Sequence, residues 1–242
     1  MRRLFPLLLL ISLVGLPSLA SAGMHDAFNA LLRANVRGDR VNYAGFRGNA
    51  DFQSYLTALE SADLSSMSRN EKLAFWINAY NATMIKVVVA HPGMTSVQNV
   101  MSPDFQVFKV ASHRIAGRSV SLNQIENEII RPTFGEPRIH EALNCASISC
   151  PPLANFAFTG AKLNRQLQRV FTRFANDASR NRIVAGQVQL SQIFNWYNAD
   201  FGGPGGVAAY LSRFISDDAK KAALAAGPIG FMNYNWGLNN VR

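Results

Sequence analysis

The chain has 242 residues, a formal net charge of +9, two cysteines and four histidines. That length suits one substantial core. The arginines are scattered without forming a run, so a nucleic-acid patch is not indicated. The few cysteines and histidines show no metal-ligand spacing, so no metal is expected. Nor is there a dinucleotide fingerprint, a phosphate-cradling glycine loop or a serine-nucleophile elbow, and no cofactor is implied.

Met1-Arg2-Arg3 precedes an apolar run over 4–16, and Ala20-Ser21-Ala22 puts small residues at the positions signal peptidase reads. The run is shorter than the ~20 residues needed to cross a bilayer. Residues 1–22 are therefore expected to be a cleaved signal peptide. The mature protein, residues 23–242, is expected in the periplasm or outside the cell, with no integral membrane segment. Cleavage removes Arg2 and Arg3 and no acid, taking the charge from +9 to +7.

Apolar spacing predicts helices over 25–36 and 51–59. Ser68-Arg69-Asn70-Glu71 is a capping box opening a longer helix that His91-Pro92-Gly93 closes. Alternation over 105–120 around Gly117 predicts a hairpin. Ser121-Leu122-Asn123-Gln124 is a second capping box, and its helix, 122–130, is expected to stop at Arg131-Pro132. Residues 138–144 alternate as a strand, followed by a cysteine loop, an amphipathic helix over 161–175 and a hairpin over 183–190. Helices over 191–199 and 207–215 flank the Gly-Gly-Pro-Gly-Gly breaker at 202–206, and 229–236 reads as a last strand. Helices and strands without regular βαβ alternation predict an α+β single domain, its helices packed on a small mixed or antiparallel sheet.

Both cysteines and a histidine fall within 138–152. In an oxidising compartment one reading of Cys145 and Cys150 is a disulfide closing a small loop. The other makes Cys145 a nucleophile with His140 as base, the main-chain amides of 146–149 forming an oxyanion hole. On an extended strand Arg138, His140 and Asn144 share a face and Cys145 lies on the other, so a direct dyad needs a bend at Asn144. His113, on the preceding hairpin, is a second candidate base. Asn78 and Asn81, three apart on the long helix, either orient a catalytic histidine and bind substrate or tie a loop to the core. Glu126 either orients the histidine or pairs with Arg131 or Arg138.

The run Lys72-Leu73-Ala74-Phe75-Trp76-Ile77-Asn78-Ala79-Tyr80-Asn81-Ala82 joins Ser121-Leu122-Asn123-Gln124-Ile125-Glu126 and the cysteine segment ending Cys150-Pro151-Pro152-Leu153. With Leu190-Ser191-Gln192-Ile193-Phe194-Asn195-Trp196-Tyr197 and Tyr234-Asn235-Trp236-Gly237-Leu238-Asn239, they resemble the bacterial DUF547 family over 43–239. The resemblance implies a domain without assigned activity, distantly similar to papain-like and transglutaminase-like thiol folds. Glu141 departs from it, where an aromatic residue is expected. The leading expectation is a thiol-dependent acyl-transfer enzyme, a peptidase, amidase or transglutaminase-like activity. Cys145 is its nucleophile, His140 its base, and Glu126 or Asn78 its orienter. The alternative is a non-catalytic module binding a peptide or small thiol through Arg138, His140 and the loop amides, with Cys145–Cys150 as a structural or redox disulfide; Arg138, Asn81, Asn144, Ser147, Ser149 and Cys150 are the candidate binding residues, and a third reading is a purely structural envelope protein.

Overall fold

The computed structural model describes residues 23–101 and 106–241, so the expected signal peptide lies outside the described residues. Helix α1 (Asp26–Asn35) packs on α2 (Ala50–Glu60). The Phe28 ring stacks on Tyr55, centroids 4.6 Å apart. Between them β1 (Val36–Arg37) and β2 (Arg40–Val41) form a short antiparallel turn that too few residues announce in the sequence. Helix α3 (Arg69–Ala90) opens on the expected reciprocal box between Ser68 and Glu71 and ends at His91. It is long and apolar enough to cross a membrane by composition, but 83% of its apolar window is buried inside the fold. A helix apolar on all sides is here the centre of a core.

Helix α4 (Gln106–Lys109) leads into the hairpin β3 (His113–Ile115) and β4 (Arg118–Val120), turned at Ala116 and Gly117 with positive φ. Ser121 and Gln124 then bond reciprocally, each main-chain N–H to the other's side-chain oxygen at 3.0 Å. The chain continues as a π-helix, Gln124–Ile130, running directly into α5 (Arg131–Phe134). The expected stop at Arg131-Pro132 is thus incorrect. Arg131 N–H bonds back to Glu126 and Gly135 N–H to Arg131, so Pro132 sits where the wide ladder changes to the α ladder. A residue lacking N–H costs little in a first turn.

The expected strand over 138–144 is also incorrect: Pro137–Glu141 is a 3₁₀ turn capped by the Glu136 side chain. A strand needs a neighbour to complete its ladder. Here the Asn81 amide fills that role, donating to Ala142 O at 2.8 Å and accepting from Asn144 N at 2.9 Å.

Helix α6 (Leu163–Ala175) joins two cores, with Leu163 and Leu167 in the larger and Phe171 and Phe174 in the smaller. The smaller core lies under β5 (Arg182–Val184), β6 (Gln187–Leu190), α7 (Gln192–Trp196), α8 (Gly206–Ser212), α9 (Asp218–Ala226) and β7 (Ile229–Phe231). Its sheet has the order β5-β6-β7, antiparallel then parallel. Helices with short, separate sheets make this an α+β fold. Helix α9 escapes apolar spacing because only Ala223 and Leu224 are buried, although Asp217 caps it through two main-chain amides.

The last predicted strand shortens to β7, and the chain beyond it becomes a strap across the larger core. Trp236 O accepts from Val97, Gly237 O from Ile148 and Asn239 O from Val41. That path carries Tyr234 and Trp236 over the cysteine loop.

Candidate functional site

The cysteine loop is built by side chains that replace a regular ladder. Beyond the Asn81 clamp, Asn144 Oδ1 accepts from Ala146 N at 3.0 Å and its amide nitrogen donates to Pro151 O at 2.7 Å. Ala146 is held at φ +67°, a left-handed conformation unfavourable for a residue with a Cβ. Buried Arg180 donates to Ile148 O at 2.8 Å and Cys150 O at 3.2 Å, its charge balanced by Asp177. In sequence Arg180 is one scattered arginine among many, with no local signal of this duty.

Both cysteines are free thiols, so the expected disulfide is not formed. Cys145 N–H donates to Cys150 Sγ at 2.9 Å. The half-buried Cys145 Sγ lies 3.1 Å from Ser147 Oγ and 3.3 Å from Tyr234 Oη. Hydrogen bonding, from Cys150 first and with Tyr234 contributing, outweighs burial and lowers the Cys145 thiol to about 7. Burial pushes Cys150 up, so Cys145 is the thiol poised to ionise.

The loop amides do not form the expected oxyanion hole. Ala146 N–H is spent on Asn144, Ile148 on Gly237 O and Ser149 on Asn235 O.

Cys145 and Cys150 line a cavity of about 370 Å³ with Glu126, His140, Tyr197 and Tyr234, among other side chains. His140 is buried, and its Nε2 lies 2.7 Å from Asp200 Oδ2. Asp200 is gripped by the Arg131 fork at 2.7 and 2.8 Å. The His140 and Arg131 contacts hold the Asp200 carboxyl well below the usual carboxylate range. An ionised carboxylate only accepts, so Nε2 carries its hydrogen towards Asp200. Nδ1 has no hydrogen-bond partner, with Glu126 Oε1 3.5 Å away. The ring stacks on Tyr197 at 3.9 Å. Burial, then the neighbouring Glu126, raises the Tyr197 phenol.

Asp200 was missed by sequence reasoning: it stands 60 residues from His140, just after Asn195-Trp196-Tyr197-Asn198, with no local signal of its role. Among the described residues no hydrogen bond joins His140 to Cys145, so the direct dyad is not formed, although both face one cavity.

Several expected site residues serve elsewhere. Asn78 bonds both main-chain groups of Phe158, at 2.8 and 2.9 Å. Asn81 and Asn144 spend their amides on the loop. Arg138 pairs with Glu136 at 2.7 Å, outside the cysteine cavity. Ser149 Oγ accepts from Asn235 N at 2.8 Å. His113 is paired across its hairpin with Val120 and lies outside this cavity too. The departure at Glu141 is a carboxyl buried to 1% exposure, both oxygens without a partner, and burial raises its pKa well above the ordinary value. Among the described residues no group of three or more His, Cys, Asp or Glu could hold a metal.

Fold and cavity together define an α+β protein in which a hydrogen-bonded thiol and a carboxylate-held histidine line one cavity. Residues 64–175 match the family described as "Protein of unknown function, DUF547". The match is shorter than the 43–239 expected from the motifs. It contains Cys145, His140 and Glu126, while Asp200, Tyr234 and Trp236 come from beyond it. No curated protein and no solved structure gives a significant match to the chain.

Proposed function

We propose that this protein is an exported thiol-dependent acyl-transfer enzyme. The observation that carries the reading is a single cavity holding both a thiol lowered to about 7 and the unpartnered Nδ1 of a histidine fixed by Asp200. Cys145 Sγ supplies the electron pair that forms a bond to a carbonyl carbon. His140 Nδ1 takes the thiol proton, delivers it to the departing amine or alkoxide, and then deprotonates the acyl acceptor. The reacting groups occupy the space between sulfur and ring. Cysteine, histidine and an orienting side chain are also the working set of papain-like enzymes, and the likeness to those folds is carried forward as one of chemistry. Export rests on the features of residues 1–22.

The test is the pH dependence of Cys145 alkylation by iodoacetamide, together with mass spectrometry of the protein after reaction with p-nitrophenyl acetate. Half-maximal alkylation near pH 7 and one acetyl group on Cys145 that turns over are expected. Alkylation titrating at the ~8.5 of an ordinary thiol, or turnover unaffected by Cys145→Ala, would defeat the reading. A second reading, a peptide- or small-thiol-binding module, is favoured by the occupied loop amides and the absent Cys145–His140 hydrogen bond. Ligand binding without any acyl-cysteine would select it.

A further inference from the structure

An acyl-transfer thiol needs a donor for the oxygen that becomes negative, and most amides of the loop that carries Cys145 are already spent. The amides of 145, 146, 148 and 149 end on Cys150 Sγ, Asn144, Gly237 O and Asn235 O, and the amide of Cys150 ends on Ser147 O. The strap supplies a further donor. Tyr234 lines the cavity, its hydroxyl 3.3 Å from Cys145 Sγ. Ser147 Oγ donates to that hydroxyl at 3.0 Å, which leaves the phenolic hydrogen free to point at the sulfur. Its ring is braced between Trp196 at 4.8 Å and Trp236 at 4.5 Å.

Resting on the acyl-transfer reading, we infer that Tyr234 is a catalytic residue whose hydroxyl stabilises the oxyanion of the tetrahedral intermediate. In the resting protein the phenol hydrogen-bonds the thiolate. On attack the sulfur pair becomes the S–C bond and the carbonyl π pair moves to oxygen. The charge thereby passes from sulfur to an atom two bonds away, and the same hydroxyl tracks it without giving up its proton. When the intermediate collapses, the C=O bond re-forms and the leaving group takes a proton from His140. Burial and the neighbouring thiols keep Tyr234 in the protonated form this role needs.

Tyr234→Phe keeps the braced ring and removes only the donor. Two reactions of Cys145 separate its effects: alkylation by iodoacetamide forms no oxyanion, whereas acylation by p-nitrophenyl acetate does. Both are measured on their alkaline plateaus, where any change in thiol ionisation drops out. Acylation is expected to fall roughly 100-fold or more, as for loss of an oxyanion donor, and alkylation by no more than a few fold. Equal changes in the two rates would overturn the inference and leave Tyr234 as a tuner of the thiol. Wild-type protein that alkylates but never acylates would instead defeat the acyl-transfer reading beneath it. If the Phe variant fails to fold, 3-fluorotyrosine at 234 serves. Its more acidic hydroxyl must shift the alkaline loss of acylation to lower pH while alkylation is unmoved; an unshifted limb overturns the inference.

Discussion

Asp200 shows how one side chain sets the chemistry of another. Its ionised carboxylate fixes the His140 hydrogen on Nε2 and so leaves the lone pair on Nδ1, 3.5 Å from Glu126 Oε1. Asp200→Asn keeps the shape but can present an N–H to Nε2, favouring the wrong tautomer. Acyl transfer is expected to drop on the order of 10²–10⁴-fold. Iodoacetamide alkylation of Cys145 should stay within a few fold, because the sulfur's partners are Cys150, Ser147 and Tyr234. Parallel losses in the two assays would mean that Asp200 supports the loop and not the imidazole. Glu141, beside His140 in sequence, is a contrasting case. Its carboxyl is kept uncharged because nothing inside answers a charge there.

Among the elements, α3 is the scaffold on which the cysteine loop is hung. Asn78 and Asn81 look alike in sequence, and each satisfies a pair of main-chain groups on a passing chain. Asn78 serves Phe158, whereas Asn81 serves the residues leading into Cys145. Asn78→Ala would leave two buried main-chain groups unpaired, a loss of roughly 2–4 kcal/mol by urea unfolding. The variant's Cys145 alkylation rate, taken where it is still folded, should equal that of the wild type. A changed rate would place Asn78 in the site after all. The capping boxes at Ser68 and Ser121 were legible because a cap is satisfied within four residues. The π-helix after Ser121 was not, since widening by one residue per turn depends on what the helix must reach. Here it presents Glu126 to the cavity while Arg131 reaches Asp200.

At the scale of the whole molecule, the larger core depends on the neutral form of a buried histidine. His25 is 6% exposed, its Nδ1 2.7 Å from the Tyr55 hydroxyl. Burial lowers its pKa to about 4, against a partial opposing pull from Asp26. A depressed histidine gives stability that is fully present above the unfolded value of about 6.5 and is lost as pH falls towards 4, up to about 3 kcal/mol. Urea midpoints measured from pH 7.5 to 4.5 should fall for the wild type and much less for His25→Gln. Equal slopes would assign the acid sensitivity to other groups. Asp200 adds its own loss only below the ordinary carboxylate range, a separate window.

The sequence by itself determined the mixed helix and strand character, most helices, the hairpin of 183–190 and, of the hairpin expected over 105–120, the part from 113 onwards, residues 106–109 being helical instead. It also placed Cys145, Cys150 and His140 in one short segment. These features arise from caps, breakers and periodicity, forces that act over a few residues. Only the tertiary structure decided that 138–144 is not a strand, because that question turns on whether a neighbouring ladder exists. The tertiary structure also decided the thiols' free state, Asp200 as the partner of His140, Arg180 as the clamp on the loop and Tyr234 over the sulfur. The last three rest on contacts between residues 30 to 89 positions apart, a separation that local spacing does not encode.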